Sequence, residues 1–127
     1  MTDKIKLVFI LVGIFSSVTT YACSQLAEIS ERLACQKALE ESSKSRMLET
    51  YSDLYDYLAD INEYQTQIEL SQKLWTEATV QNCNVYAYFA EEESVTHEVT
   101  MSECMTEEYR KRREFLVSTK TVVEQFF

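Results

Sequence analysis

Beyond residue 22 this chain contains neither glycine nor proline, and its single glycine is Gly13. Glycine reaches positive φ without steric cost, and proline breaks helices and pre-sets tight turns. A chain that lacks both has no inexpensive way to turn sharply, so long helices are its cheapest conformation. The expected fold is all-α. Four cysteines, Cys23, Cys35, Cys83 and Cys104, accompany that bias.

The segment ahead of Cys23 reads as an export signal. Lys4 and Lys6 provide a charged start, Leu7 to Phe15 an apolar core, and Thr20-Tyr21-Ala22 a small-x-small cleavage site. That apolar run is too short to cross a bilayer, which takes about 20 residues. Residues 1–22 are therefore expected to be a cleaved signal peptide, residues 23–127 one helical domain, and the mature chain to have no membrane span. Cleavage after Ala22 would place Cys23 at the new N-terminus, which opens lipidation as an alternative. Thr20 and Tyr21 stand where a lipoprotein signal carries aliphatic and small residues, and lipidating Cys23 would strand one of three remaining cysteines in an oxidising compartment. The expected location is periplasmic or secreted, with a lipoprotein anchored through Cys23 as the alternative.

Charge narrows the partners. The whole chain carries −9, and residues 1–22 hold Lys4 and Lys6 against Asp3, so the remainder carries −10. Such a balance disfavours nucleic acid and anionic membrane surfaces and favours a cationic partner, because complementary charge steers encounter. The same charge also keeps a small exported domain soluble.

Apolar periodicity places three helices. The first is expected from Ile29 to Ala59, with Met47, Tyr51, Leu54, Tyr55 and Leu58 on one stripe. Asp60-Ile61-Asn62 supplies the turn formers for a break. The second helix is expected from Glu63 to Ala90, with Ile68, Leu74, Trp75, Ala78, Cys83, Tyr86 and Phe89 near its buried side. Glu91 to Ser102 mixes acids with β-branched residues and shows no stripe, so it reads as a connecting loop. The third helix is expected from Cys104 to Val123, with Met105, Tyr109, Leu116 and Val123 inward. These elements fit a small antiparallel three-helix bundle held by two disulfides.

Two pairings of the cysteines are open. Cys23 and Cys35 are twelve residues apart, about 18 Å if all helical, so joining them requires residues 23–27 to leave the helix and fold back. With that pairing, Cys83–Cys104 would pin the connection between the second and third helices. The rival scheme joins Cys35 to Cys83, which a hairpin turning near residue 60 sets at similar heights, and Cys23 to Cys104. The neighbour pairing is preferred. No C-x-x-C spacing suggests a metal site, and export favours oxidation.

In order along the chain stand Cys35, Tyr51 and Leu54, then Gln72-Lys73-Leu74-Trp75, then Cys83 eight residues after the tryptophan, then Cys104-Met105 with Arg112 and Leu116. This combination resembles the LprI-type lysozyme inhibitor family of small exported bacterial domains, over essentially the whole mature chain. The chain carries Ser71, Thr79 and Tyr109 where that family has Ala, Arg and Thr, and Glu92-Glu93 near its loop glycines. The resemblance implies a lysozyme-type, cationic muramidase as partner. In that reading the pinned connection, with Glu91, Glu92, Glu93, His97, Glu98 and Glu103, forms part of the contact.

Plainer roles compete for the other marked residues. Trp75, on a stripe with Cys83, is expected in the core. Arg112 is expected to pin one helix to another through a Glu or a carbonyl. Arg110-Lys111-Arg112-Arg113 spreads around a helix axis among Glu107, Glu108 and Glu114, which describes a solvated helix rather than a nucleic-acid patch. His97 is the one histidine, and no H-E-x-x-H, glycine-rich phosphate loop or serine motif accompanies it. Neither catalysis nor a cofactor is expected. A non-catalytic envelope interaction module is the alternative function, and its mark would be exposure of the rings of Tyr55, Tyr57, Tyr64, Tyr86, Tyr88 and Phe89.

Overall fold

Helix α1 covers Ile29–Tyr57, α2 Asn62–Tyr86 and α3 Val95–Val123 in a computed structural model that describes residues 22–127. Apart from Ala22, the expected signal peptide lies outside the described residues. The first break falls where Leu58 to Ile61 tighten into turns, with Ile61 N–H donating to the Leu58 carbonyl at 2.9 Å. Leu58 is buried there, and Gln65 Nε2 donates to the Tyr55 carbonyl at 2.8 Å, so the turn is tied to both helices.

α3 begins nine residues earlier than the expected Cys104, at Val95. The run expected to be a loop from Glu91 to Ser102 is thus mostly helix. Ser94 explains the early start: its side chain accepts the His97 backbone N–H at 3.1 Å, and Glu98 sits in the positively polarised first turn. An N-cap signal outweighed the missing stripe. Lys120 in the last turn complements the other pole of the helix.

The chain goes up, down and up, so α1 and α3 run parallel. Glu40 meets Ser102 near one end, and Lys120 lies over the Tyr57 ring, 5.5 Å from its centroid, near the other. α1 and α3 make the closest backbone approach, and α2 lies nearer α3 than α1.

The core is uneven along the axis. Met47, Leu54, Leu58, Ile68, Tyr109, Leu116 and Val123 form one apolar cluster, with Tyr51, Ile61, Tyr64, Trp75 and Met105 packed against it. The inward stripes read for the first and third helices are thereby confirmed except at Tyr55, which lies outside the cluster with its hydroxyl donating to Glu69 Oε1 at 2.9 Å. At the end where α2 passes to α3, the buried positions are Cys23, Gln36, Thr79, Cys83, Ala87 and Ser102. Disulfides and polar pairs replace apolar packing there. Cys23 joins Cys35 and Cys83 joins Cys104, the neighbour pairing. A short 3-10 turn over Cys23–Gln25 and extended backbone at Leu26 provide the fold-back that the first bridge requires. Gln36 Nε2 donates to Thr106 Oγ1 at 3.0 Å, and Ser102 Oγ donates to Glu40 Oε2 at 2.6 Å.

The buried side expected for the second helix needs correction. Ile68 and Cys83 point inward and Trp75 is half-buried, but Leu74, Ala78, Tyr86 and Phe89 are exposed. The inward row runs Ile68, Gln72, Trp75, Thr79, Cys83 and Ala87, in steps of three and four. α2 carries apolar residues on several sides, so periodicity alone did not choose its buried face.

Candidate functional site

α2 ends where its inward row meets Ala87, a buried residue with almost no side chain. The positions flanking it then project outward. Phe89 is 97% exposed, Tyr88 76% and Tyr86 63%. Tyr88 and Phe89 meet edge to face with centroids 5.3 Å apart, a favoured aromatic geometry that makes them one projecting unit.

Glu91, Glu92 and Glu93 follow directly and are all exposed. Ala87 N–H to the Cys83 carbonyl (2.9 Å), Ala90 N–H to Ala87 (2.9 Å) and Ser94 N–H to Glu91 (3.1 Å) tie the turn to itself. Glu93 takes φ 64°, the left-handed region in which a non-glycine residue is strained. Beneath the turn, the Cys83–Cys104 bridge holds the last turns of α2 against the third turn of α3.

The six expected contact residues therefore do not share one loop. Glu91 to Glu93 lie in the turn, while His97, Glu98 and Glu103 ride on α3. Residues five apart on a helix point about 140° apart, so Glu98 and Glu103 face different ways. Glu103 lies beside Tyr86 at a shallow cleft of about 180 Å³ that Cys104, Glu107 and Glu108 also line. His97 is half-buried. Charge unifies the region more than geometry does: between Lys73 and Arg110 the chain has eight glutamates and no lysine or arginine.

The aromatic part of this surface departs from the sequence expectation, which places Tyr86 and Phe89 on the buried side. A usable signal was present. Once Cys83 and Ala87 define the inner row, residues 85, 86, 88 and 89 are left facing outward, and four of the five residues in Val85-Tyr86-Ala87-Tyr88-Phe89 are large and apolar.

Arg112 lies elsewhere, in the seam between α2 and α3. It is 7% exposed, donates from Nε to Gln72 Oε1 and from a terminal nitrogen to Ser71 Oγ, both at 3.0 Å, and lies over Trp75 and Phe115 at 5.5 and 4.7 Å. It does pin two helices, through the side-chain carbonyl of Gln72 and the hydroxyl of Ser71 rather than a Glu. Burial pushes its guanidinium below the ordinary arginine value, with Tyr51 acting in the opposite direction. The rest of the basic run is solvated as expected, with Arg110 paired to Glu107 and Glu114, and Lys111 to Glu108 at 3.0 Å.

Three positions at which the chain departs from the resembled family meet at this seam. Ser71 accepts from Arg112, Thr79 is buried one turn beyond Trp75, and Tyr109 packs against Trp75 with centroids 5.9 Å apart. Thr79, Trp75 and Tyr109 line one cleft of about 210 Å³.

The opposite end of the molecule is apolar. Leu58, Ile61, Tyr64, Val123, Phe126 and Phe127 line a groove of about 400 Å³. Among the described residues no three His, Cys, Asp or Glu side chains converge in a way that could hold a metal ion, and no helix is long and apolar enough to cross a membrane.

No protein-family model and no curated protein matches the sequence. Among solved structures, the fold is similar to that of a DUF1311 family protein from Pseudomonas putida KT2440, with a TM-score of 0.65 and 20% identity over 69% of this chain and 89% of that one. The class this defines is a disulfide-stapled, all-helical module with the DUF1311-type fold.

Proposed function

We propose that this chain is an exported, non-catalytic binding protein of the lysozyme-inhibitor type that uses its α2–α3 turn to engage a basic muramidase. The observation that carries the reading is the turn itself: projecting, with acidic residues as its only charges, and anchored by the Cys83–Cys104 bridge. A rigid projection suits a cleft that works with two carboxylates, because it can fill the cleft without a large ordering cost. The motif resemblance supports the target class, and the helical fold shared with the DUF1311 structure is compatible with it.

Residues 23–127 form the mature domain in this reading, secreted or periplasmic after removal of residues 1–22. The disulfide to Cys35 supports free export over anchoring, since a sulfur committed to Cys23–Cys35 is not available for a lipid thioether. Glu91, Glu92, Glu93, His97, Glu98 and Glu103 are assigned to or beside the contact.

The test is a lysis assay with purified, oxidised protein against several lysozyme types over a salt series. Inhibition near stoichiometry that weakens with salt, and weakens further when Glu91 and Glu92 are changed to Lys, is the expected outcome. Full lysis in every case sinks the proposal.

A second reading, an envelope interaction module for another bacterial protein, draws on its expected mark, since Tyr57, Tyr86, Tyr88 and Phe89 are exposed while Tyr55 and Tyr64 are half-buried, and on the apolar groove at the far end. A pull-down from envelope extract that is lost when that groove is altered, with no effect on lysozyme, would favour it.

A further inference from the structure

The acidic residues of the turn can steer a partner, but exposed carboxylates contribute little holding energy once a complex has formed. The side chains able to hold are the two rings beside them. We infer that Tyr88 and Phe89 are the anchor of the interface, inserted into an apolar recess in the cleft of a basic protein, while Glu91 and Glu92 set the rate of encounter. This rests on the proposal that the partner is a lysozyme-type muramidase, and it assigns the energetics of the contact.

Three observations support the assignment. The rings are the most exposed aromatics of this half of the molecule and project as one edge-to-face pair. They stand on a turn that is already ordered, with Ala87 buried beneath them, hydrogen bonds closing the backbone and the disulfide three residues before Tyr86. Two aromatic side chains with few rotatable bonds on a fixed turn lose little entropy on docking. The occupant follows from charge: eight glutamates without a lysine or arginine between Lys73 and Arg110 repel acidic proteins and anionic membranes and attract a basic surface. A convex apolar tip within an anionic surround is complementary to a recess in a cationic face. Truncation of a central, well-packed aromatic is the commonest kind of large loss at interfaces.

The experiment measures association and dissociation rates of the oxidised chain with purified basic lysozymes of the c and g types. Phe89→Ala and Tyr88→Ala should each weaken binding about 10- to 100-fold through faster dissociation, with association changed less than about threefold. Glu91→Gln with Glu92→Gln should slow association and flatten its salt dependence, with dissociation nearly unchanged. Phe126→Ala, an equally exposed ring at the far end, should change neither rate. All three rings are solvent-exposed, so the variants should melt like the parent.

Unchanged dissociation in both ring variants overturns the anchor alone and leaves the muramidase proposal standing. Equal losses for Phe126→Ala and Phe89→Ala point to general stickiness and also overturn it. Absence of binding by the parent chain to either lysozyme overturns the muramidase proposal and this inference together.

Discussion

At Glu93 the backbone stands at φ 64° in a chain with no glycine after residue 22. The left-handed region costs a non-glycine residue about 1–2 kcal/mol, partly offset in any glycine variant by greater freedom when unfolded. Glu93→Gly should therefore raise stability by about 0.5–1 kcal/mol, visible as a higher urea midpoint with unchanged slope. An unchanged or lower midpoint would mean that the turn is not strained there. Arg112 is the other residue whose environment is unusual, a buried cation held by neutral partners. Lysine cannot reproduce its fork to Gln72 and Ser71, yet still bears the cost of desolvating a charge. Arg112→Lys should lose about 1–3 kcal/mol in the same urea experiment. Stability equal to the parent's would show that the guanidinium fork does not matter.

At the scale of elements, the stripes of the first and third helices were legible because Met47, Leu54 and Leu58, and Tyr109, Leu116 and Val123, recur at helical spacing. α2 was not, because Leu70, Leu74, Val80 and Val85 are apolar and exposed, so its sequence offers more than one candidate face. The projecting turn was hidden for the same reason: its rings looked like a continuation of the buried row. The start of α3 was missed because a single serine cap, rather than an apolar stripe, determines it. The element with most at stake is the α2–α3 hairpin, whose last turns rest on Cys83–Cys104. Closing a loop of 21 residues is worth about 3 kcal/mol in the chain-entropy model. Replacing both cysteines with alanine should raise hydrogen exchange in residues 79–104 well before it affects 47–58 or 109–123. Uniform acceleration across the three helices would show that the bridge supports the whole molecule rather than its hairpin.

Across the whole molecule, stability is divided: an apolar cluster holds the end bearing the α1–α2 turn, and two disulfides with polar pairs hold the end bearing the projecting one. This division has a pH signature. Burial is the main cause that raises the phenol pKa of Tyr51 and Tyr109 above 10.0, with Glu69 adding to Tyr51, and Glu40 and Glu41 to Tyr109. Both rings belong to the apolar end, Tyr109 within its cluster and Tyr51 packed against it. A folded-state pKa that is raised gives stability fully present below the unfolded value and lost as pH rises through the folded one. Thermal midpoints should thus decline as pH rises above about 10, and Tyr109→Phe should reduce the slope. A decline equally steep in that variant would place the cause elsewhere. Several features follow from the sequence alone: helices throughout, from the missing glycine and proline, and the inward rows of two of them; the cysteine pairing stays open between two schemes until the fold joins Cys23 to Cys35 and Cys83 to Cys104. The helices and their rows depend on local sterics and periodicity, which act over a few turns. Only the tertiary structure decided which face of α2 is buried and that Tyr88 and Phe89 point outward. A helix with several apolar faces takes its orientation from what its neighbours require, here the Arg112 fork to Ser71 and Gln72 and the sulfur of Cys104. Those partners are distant in sequence, so no local pattern in α2 records them.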